Sequence, residues 1–338
     1  MTQTCKDTHT VLVLGATGGI GGAVARALAD QGWIVRAMVR DIVKAKAGWT
    51  GPTTPNFITG DAMNREEVVR AATDGGAVHA IIHAVNPPGY RNWDTVVLPM
   101  IDNTIAAARA ADGARIVLPG TVYNYDPATT PIIDEMTVQN ALTRKGKIRV
   151  ALERRLAEAA PEVPSLIVRA GDFYGPDTRA SWFAQAMILP DRQVRKVVSM
   201  APGVPHDYAY LPDLAETFAR LLDISDKLRP HEIVQFQGTW DADGQTMLNT
   251  IRAVVGRDVP QKAFPWWLMR LFAPFGGFPK EALEIEPVWR HPMRLDNTRL
   301  VDLLGEEPRT PLATAIECTL RGMGCLTGTA PASSVLTA

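Results

Sequence analysis

The chain has few cysteines, no excess of charge of either sign and no long apolar run. Its three cysteines, Cys5, Cys318 and Cys325, lie outside any CxxC or Cys–His spacing, which disfavours a disulfide framework and a zinc knuckle. The 35 basic residues nearly balance the 36 acidic ones, so we expect no nucleic-acid partner. Because no run of 18 apolar residues occurs, we also expect no membrane span.

These absences favour a globular protein of a reducing compartment. The first ten residues, MTQTCKDTHT, are polar and contain no apolar run behind a basic patch, so the sequence predicts no signal peptide. An odd number of separated cysteines fits a reducing environment. We therefore expect a cytoplasmic location.

The first half of the chain alternates strand-like and helical segments. With 338 residues, 46% of them apolar, the chain can form one large α/β domain with an appended lobe. Predicted strands lie at 11–14, 33–40, 56–61, 77–83, 114–118 and 165–169, and predicted helices at 23–29, 66–72, 95–111 and 149–159. This alternation predicts a Rossmann-type, doubly wound parallel sheet, which belongs to the α/β fold class.

The second half reads differently, because proline and tryptophan become denser and the elements less regular. Five of the eight tryptophans lie from Trp182 onward. We expect a Rossmann domain at residues 1–175, a smaller mixed C-terminal substrate lobe at 176–325, within which the chain could return to the sheet, and a flexible tail at 326–338. The lobe is expected to cover the carboxyl ends of the strands, where open α/β sheets bind ligands.

A glycine motif is the strongest functional signal. Gly15, Gly18 and Gly21 follow the first strand with the spacing G-x-x-G-x-x-G and precede a helix. This context lets the backbone approach a pyrophosphate while the helix aims its first N–H groups at that anion; the alternative is an ordinary tight turn. The residues predicted to contact a dinucleotide here are Gly15, Thr17, Gly18, Gly19, Ile20 and Gly21.

The end of the second strand bears on the choice between NAD and NADP. NAD-binding proteins usually place an acidic residue there, which holds the ribose 2′-OH. This chain has Arg40, followed by Asp41. Arg40 can bind a 2′-phosphate through charge-assisted hydrogen bonds, and Arg36 is expected to add to the field. The alternative is that Arg40 is solvated while Asp41 caps the next helix. We expect NADP, with NAD as the second option.

The segment VLVLGATGGIG resembles the opening of the extended short-chain dehydrogenases, the superfamily that includes sugar-nucleotide epimerases and many NADP reductases. Further segments similar to this family lie at 60–61, 83–86, 168–176 and 206–215. The resemblance implies that Asp61 meets the adenine amino group and that the loop containing Ala84 borders the nicotinamide ribose. In this family a homodimer formed through a helical pair is common.

The resemblance also implies catalytic positions, one of which departs from the family pattern. Family members usually carry Ser or Thr after the fifth strand, which polarises the substrate oxygen. A later Tyr-x-x-x-Lys supplies a proton carrier and a lysine that lowers the tyrosine pKa and binds the ribose. The hydroxyl falls on Thr121 and the lysine on Lys147, but Thr143 stands where the tyrosine should be.

This departure leaves the proton donor open. A threonine hydroxyl is a poor general acid or base near pH 7, because its pKa lies far above that of tyrosine. Tyr123 is the nearest tyrosine by position, with Tyr125 and Tyr174 behind it, and His206 is a candidate of another type. Alternatively, the protein binds a dinucleotide without turning it over.

The expected function is that of an NAD(P)-dependent oxidoreductase or epimerase-like enzyme that transfers hydride at a carbonyl or carbinol carbon of a small molecule. One alternative is a non-catalytic NADP-binding sensor. The other is a sugar-nucleotide epimerase or dehydratase that retains NAD. The residues indicate the fold and the cofactor loop, whereas no motif specifies the substrate.

Two weaker patterns remain. His79 and His83 have the spacing of a helical metal pair but fall on a predicted strand, where they would lie about 13 Å apart, so no metal site is expected. Residues 264–275 form the most aromatic stretch of the chain. We expect this stretch to pack in the core or in a subunit contact, with an apolar lid or a membrane-touching helix as alternatives.

Overall fold

The computed structural model describes residues 9–87 and 92–326. Cys5 and the predicted tail beyond Leu326 therefore lie outside the described residues. The strands are β1 (Thr10–Leu14), β2 (Ile34–Val39), β3 (Asn56–Thr59), β4 (Ala80–His83), β5 (Arg115–Gly120), β6 (Ile132–Ile133), β7 (Ser165–Ala170), β8 (Asp172–Tyr174), β9 (Val197–Ser199), β10 (His206–Tyr210), β11 (His231–Phe236), β12 (Thr239–Asp241), β13 (Gln261–Ala263) and β14 (Arg294–Leu295).

Helices and short helical turns connect these strands. The helices are α1 (Gly19–Asp30), α2 (Ile42–Gly48), α3 (Arg65–Thr73), α4 (Trp93–Ala110), α5 (Arg144–Ala159), α6 (Leu211–Asp223), α7 (Thr246–Val255), α8 (Trp266–Phe272), α9 (Gly277–Leu283), α10 (Glu286–Arg290), α11 (Thr298–Leu304) and α12 (Leu312–Gly322). A π-helical turn spans Phe183–Met187, and 3-10 turns span Ser225–Lys227 and Ala273–Phe275.

Seven parallel strands form the central sheet, in the order β11-β7-β5-β4-β1-β2-β3. The predicted Rossmann-type sheet is thereby confirmed, and each predicted strand is present with its ends within three residues. The chain runs outward from β1 to β3 and then restarts at β4 on the other side of β1. This reversal of direction leaves a crevice at the carboxyl ends of β1 and β4, where such sheets bind ligands.

Helices cover both faces of this sheet. On one face α1 packs against α6, and on the other α3, α4 and α5 pack side by side. The inner strands between them are almost wholly apolar, as in the sequence TVLVL of β1, because both of their faces are buried, whereas the edge strand β3 is partly exposed. The two apolar cores hold the crevice-forming loops on a rigid base.

The lobe has its own core, built around Trp182 and Phe183. It contains the three-stranded sheet β12-β10-β8 and the paired strands β13 and β9. From β10 the chain passes through α6 to β11, which joins the edge of the central sheet. The domain division at residues 175 and 176 stays a prediction, since the return through α6 and β11 mixes the two parts.

The described residues were searched for a membrane-spanning helix and for a metal site. Within 9–87 and 92–326, no helix is long and apolar enough to cross a bilayer. No cluster of three or more metal-ligating side chains occurs in those same ranges. His79 Nδ1 accepts a hydrogen bond from the backbone N–H of Thr10 at 2.9 Å, whereas His83 Nδ1 bonds the Thr104 hydroxyl at 2.8 Å.

Candidate functional site

The turn from β1 into α1 is built so tightly that only glycine fits at two positions. Gly15 has a φ of +92°, and a Cβ there would lie 2.6 Å from the carbonyl oxygen of Ala84. A Cβ on Gly21 would lie 2.3 Å from the carbonyl oxygen of Gly15. The missing side chains therefore let α1 start directly against the ends of β1 and β4.

The first turn of α1 presents free N–H groups at this turn. The N-cap, Gly18, has no side chain to bond them, and the first turn contains no acidic residue. Gly18 N–H donates to the Gly15 carbonyl, and the helical ladder starts only with Gly22 N–H. Gly19, Ile20 and Gly21 are thus left with first-turn donors and the positive end of the helix dipole. This donor set fits the pyrophosphate of a dinucleotide.

The remaining loop residues lie around the same turn. Thr17 is exposed at its tip. A Cβ added to Gly19 would lie 3.6 Å from the carbonyl oxygen of Asp177 and 3.8 Å from the Cα of Thr178, so the two segments are in contact. A salt bridge of 2.8 Å between Arg26 and Asp177 holds this crossing segment against α1. The lobe segment therefore borders the glycine turn directly.

The carboxyl ends of β2 and β3 carry the residues predicted to meet the adenosine. Arg40 and Asp61 are both exposed and follow neighbouring strands that pair up to Val39 and Thr59. The Asp41 carboxylate accepts from the N–H of Lys44 at 2.9 Å and caps α2. Arg40 has no ion pair within the described part of the chain, so its guanidinium is available at this edge.

Arg36 does not contribute to this edge, contrary to the expectation from the sequence. Its side chain is buried near the start of β2 and donates to the carbonyl oxygen of Gly75 at 3.0 Å. That carbonyl follows α3, at the opposite end of the strand. Asp61 folds into its own turn, where one carboxylate oxygen accepts from Met63 N–H at 2.9 Å. Its second oxygen has no hydrogen-bond partner in the described ranges.

A cavity of about 220 Å³ opens at the carboxyl ends of β1, β4, β5 and β7. Ile20 of α1 lines it, so the glycine turn and the cavity are continuous. The lining also contains Ala84, Asn86, Trp93, Thr121, Tyr123, Arg149, Asp172, Phe173, Ser181 and Trp182. Aromatic rings and a few polar groups thus share one small space.

Thr121 and Tyr123 lie side by side in the cavity wall. Thr121 is the first residue after β5, and its Oγ1 accepts from the backbone N–H of Tyr123 at 3.2 Å. The same hydroxyl lies 3.4 Å from Oδ1 of the buried Asn124 and can donate to it. The Thr121 carbonyl accepts from Arg169. The hydroxyl is therefore held in place and still has a proton to give.

Thr143 has a structural role that accounts for its presence before α5. Its hydroxyl accepts from the N–H of Gly146 at 3.0 Å and caps the helix. A Cβ on Gly146 would lie 2.2 Å from the Tyr123 carbonyl oxygen. The start of α5, five residues earlier than predicted, is therefore pressed against the loop that carries Thr121 and Tyr123.

The buried face of α5 is set by this start. Lys145, Arg149 and Glu153 lie four residues apart and are all buried, whereas Lys147 is exposed. Two residues along a helix turn the side chain by about 200°, so Lys147 points away from that face. Arg149 lines the cavity and Lys147 does not. The structure thus brings Arg149, not Lys147, to Thr121 and Tyr123.

Arg149 is the cation of the cavity. Its guanidinium lies 4.7 Å from the ring centre of Trp93 and donates to Oδ1 of Asn86 at 3.3 Å. His83 stays neutral, because burial, with the charge of Arg149 as a lesser cause, lowers its pKa to about 3. An arginine in proteins remains charged. The site therefore offers a fixed positive charge rather than a proton-transferring lysine.

Lys145 is occupied elsewhere. Its ammonium is buried between the carboxylates of Glu281 and Glu284, 2.5 Å from the latter. These two carboxylates lie at α9, in the lobe. Lys145 consequently fastens α5 to the lobe.

The other candidate proton donors are distributed around the cavity. Tyr125 and Tyr174 are buried outside its lining, and burial is the largest cause of their raised pKa values, to about 12 for Tyr174. Asp172 lines the cavity and accepts from His206 Nε2 at 2.8 Å. The His206 ring stacks on Trp289 at 4.0 Å. Tyr123 is therefore the candidate tyrosine in the cavity wall, and His206 reaches that wall through Asp172.

Sequence reasoning did not single out several residues of this cavity, among them Trp93, Arg149, Asp172 and Trp182. Arg149 could have been found from helical spacing, because it repeats at i+4 with Lys145 and Glu153 on one face. The aromatic rings carry no motif and are assembled only by the fold. Their place in the wall depends on contacts between the lobe and the sheet.

The chain belongs to the NAD dependent epimerase/dehydratase family, whose family model matches residues 11–235. The resemblance found in the sequence is thereby confirmed. Because the match starts at β1 and reaches β11, it covers the whole central sheet.

Two characterised relatives match part of the chain. The chain is 26% identical over 181 residues to a 3-diazoavenalumate denitrifying reductase of Streptomyces sp, covering 50% of this chain and 57% of that protein. It is 30% identical over 221 residues to the nitrogen metabolite regulation-like protein bik4 of Gibberella fujikuroi, covering 63% and 60%. Each match spans less than two thirds of the relative's length.

A solved structure matches almost the whole fold. The UDP-glucose 4-epimerase from Brucella ovis in complex with NAD superposes with a TM-score of 0.69 over 94% of this chain and 99% of that one. The sequence identity is 18%. At that identity the likeness supports the fold rather than a substrate.

Proposed function

We propose that this protein binds NADP(H), with NAD(H) as the weaker ligand, and transfers hydride at a carbonyl or carbinol carbon of a small molecule. The carrying observation is that the turn at Gly15 and Gly21 opens directly into the cavity that Thr121 lines. A dinucleotide held by that turn would project its nicotinamide towards this hydroxyl. The family membership agrees with this cofactor class.

Each part of the dinucleotide has a residue to hold it. The N–H groups of Gly19, Ile20 and Gly21 would bind the pyrophosphate, and the neighbouring Ala84 loop would border the nicotinamide ribose. Arg40 would bind the 2′-phosphate, since Asp41 is committed to capping α2. Asp61 would accept from the adenine amino group through its second carboxylate oxygen. When bound, the nicotinamide supplies or accepts the hydride.

The residues of the chain supply the polar chemistry. Thr121 would donate a hydrogen bond to the substrate oxygen and keep its proton, giving up its contact with Asn124. Arg149 would stabilise negative charge that develops on that oxygen, because its guanidinium is fixed against Trp93 and stays charged. Tyr123 is the proposed proton carrier. Lys147 is exposed on another side of α5 and does not line the cavity, so this proposal assigns it no role.

A non-catalytic NADP-binding sensor is the second candidate. The observation that favours it is the composition of the buried face of α5. The first two charged residues on that face, Lys145 and Arg149, are both cations and stand four residues apart. Lys145 is bound by two carboxylates, and α5 contains no tyrosine for proton transfer. One relative is named as a nitrogen metabolite regulation-like protein. A sugar-nucleotide epimerase that retains NAD is the third candidate, because the Brucella ovis neighbour is such a complex.

The test is NADPH oxidation by the full chain against a panel of small aldehydes and ketones, together with NADPH titration. We expect oxidation with at least one member. Thr121→Val should lower kcat about 100-fold without changing NADPH affinity, while Thr250→Val on α7 should behave like wild type. NADPH binding without oxidation across the panel would favour the sensor. Tightly bound NAD with interconversion of sugar-nucleotide epimers would favour the epimerase.

A further inference from the structure

One side of the lobe exposes a large aromatic surface. In α8 Trp267 is 66% exposed, and in the following turn Phe275 is 85% exposed. The exposed members, which we call the aromatic face, are Trp267, Leu271, Phe272, Phe275 and Phe278. Monomeric proteins rarely expose contiguous apolar patches larger than a few hundred Å². Five large exposed apolar side chains within twelve residues therefore indicate an interaction surface.

The aromatic face is not a frayed part of the core. Trp266, next to it in the sequence, is buried and donates from Nε1 to the Met200 carbonyl at 2.7 Å. The helices α8 and α9 pack against each other and against the turn between them. Core packing is therefore observed for Trp266, and in part for Phe264 and Met269, whereas the members of the aromatic face point outward, so the expected subunit contact stays a prediction.

A basic groove lies beside this face. It has a volume of about 1020 Å³ and an apolar floor that includes Leu189, Val198 and Phe264. Four exposed cations line it, Arg192, Arg195, Lys196 and Lys262. Within the described residues none of the four forms an ion pair. The acidic residue of the wall, Asp191, is bound by Arg179 at 2.6 Å.

The groove and the aromatic face are connected through one buried side chain, Trp182, and along the chain. Phe264 of the groove lies 6.1 Å from Trp182 between ring centres, and Phe278 of the face lies 5.8 Å from the same ring. Lys262 and Phe264 also lead directly into α8 along the chain. Aromatic side chains thus stand next to uncompensated positive charge.

We propose that this surface docks on an anionic lipid bilayer. Aromatic side chains would enter the boundary between headgroups and acyl chains, and the groove cations would face the anionic headgroups. A second copy of this chain fits the surface less well. A two-fold contact would place the four cations near their own counterparts, while the acidic residue of the groove lining, Asp191, is already paired with Arg179. This docking is peripheral and does not depend on the proposed hydride transfer.

The test is flotation of the full chain with vesicles of phosphatidylcholine alone and of phosphatidylcholine mixed with phosphatidylglycerol. We expect binding to the mixed vesicles, little binding to the neutral ones, and release by high salt. Trp267→Ser combined with Phe275→Ser should lower the bound fraction about tenfold or more. Arg195→Glu combined with Lys196→Glu should do the same.

The matched control combines Met136→Ser with Val138→Ser, at side chains that are 78% and 81% exposed on the loop after β6. This variant should bind like wild type, and all variants should melt at the wild-type temperature. No vesicle binding, equal binding to both vesicle types, or loss of binding in the control would overturn the proposal. So would a dimer that the Trp267 and Phe275 substitutions convert to a monomer without any vesicle binding.

Discussion

The Oγ1 atom of Thr143 accepts a hydrogen bond from the backbone N–H of Gly146 at 3.0 Å. The residue four positions before Lys147 is therefore a helix cap rather than a degenerate catalytic residue. Capping fixes where α5 starts, and the start fixes which side chains face the cavity. With this start of α5, Arg149 is the residue of the helix that lines the cavity.

Arg149→Met and Lys147→Met form a matched pair on the same helix. We expect Arg149→Met to lower kcat/KM of NADPH-dependent reduction about 100-fold or more, because a preorganised charge in the cavity is lost. Lys147→Met should stay within about twofold of wild type, since its side chain is exposed. Steady-state kinetics on both variants check this. The opposite ranking would return the role to Lys147.

The buried pair of Glu153 and Arg169 should carry a large share of stability. Both side chains are buried, with two hydrogen bonds of 3.0 and 2.9 Å between them. Glu153→Gln leaves the guanidinium without its countercharge and should cost about 3 kcal/mol of unfolding free energy. Glu158→Gln, in an exposed pair with Arg154, should cost less than about 1 kcal/mol. Urea unfolding measures both, and equal costs would refute the assignment.

Asp207 should make stability depend on pH. Burial, partly offset by the Leu295 N–H bond and the nearby Arg294, raises its pKa to about 8. Because the folded pKa exceeds the unfolded one, this group contributes fully below about pH 4 and its contribution is lost as pH rises towards 8. Asp207→Asn should therefore melt above wild type at pH 9 and close to it at pH 5. A pH-independent difference between the two proteins would contradict the ionisation of Asp207.

The sequence was sufficient to predict six of the seven strands of the central sheet, but not the edge strand β11. Five of the six predicted strands are largely apolar and buried, and their alternation with helices identifies them, whereas the sixth, β3, is partly exposed. β11 was missed because Glu232 and Gln235 interrupt its apolar pattern, although both are buried. Glu232 is satisfied at 2.8 Å by Arg299, a partner 67 residues away. Such a distant partner leaves no local trace in the sequence.

For the site, the local part could be predicted from the sequence and the part that depends on tertiary contacts could not. The glycine turn is a local structure, so the residues from Gly15 to Gly21 could be read directly. Helical spacing places Arg149 on the same face of α5 as Lys145 and Glu153, but its place in the cavity depends on the tertiary contact between Gly146 and the Tyr123 carbonyl, which the spacing does not encode. The aromatic face depends on which side of α8 the fold covers, and an apolar pattern does not specify this.

The central claim is that Arg40 and the glycine turn bind NADP(H). The most direct measurement is fluorescence titration of wild type, Arg40→Gln and the remote control Arg154→Gln with NADPH and, separately, NADH. We predict that NADPH binds wild type and the control at least about tenfold more tightly than NADH does. Arg40→Gln should lose this preference. Equal or tighter binding of NADH, or binding of neither dinucleotide, would contradict the account.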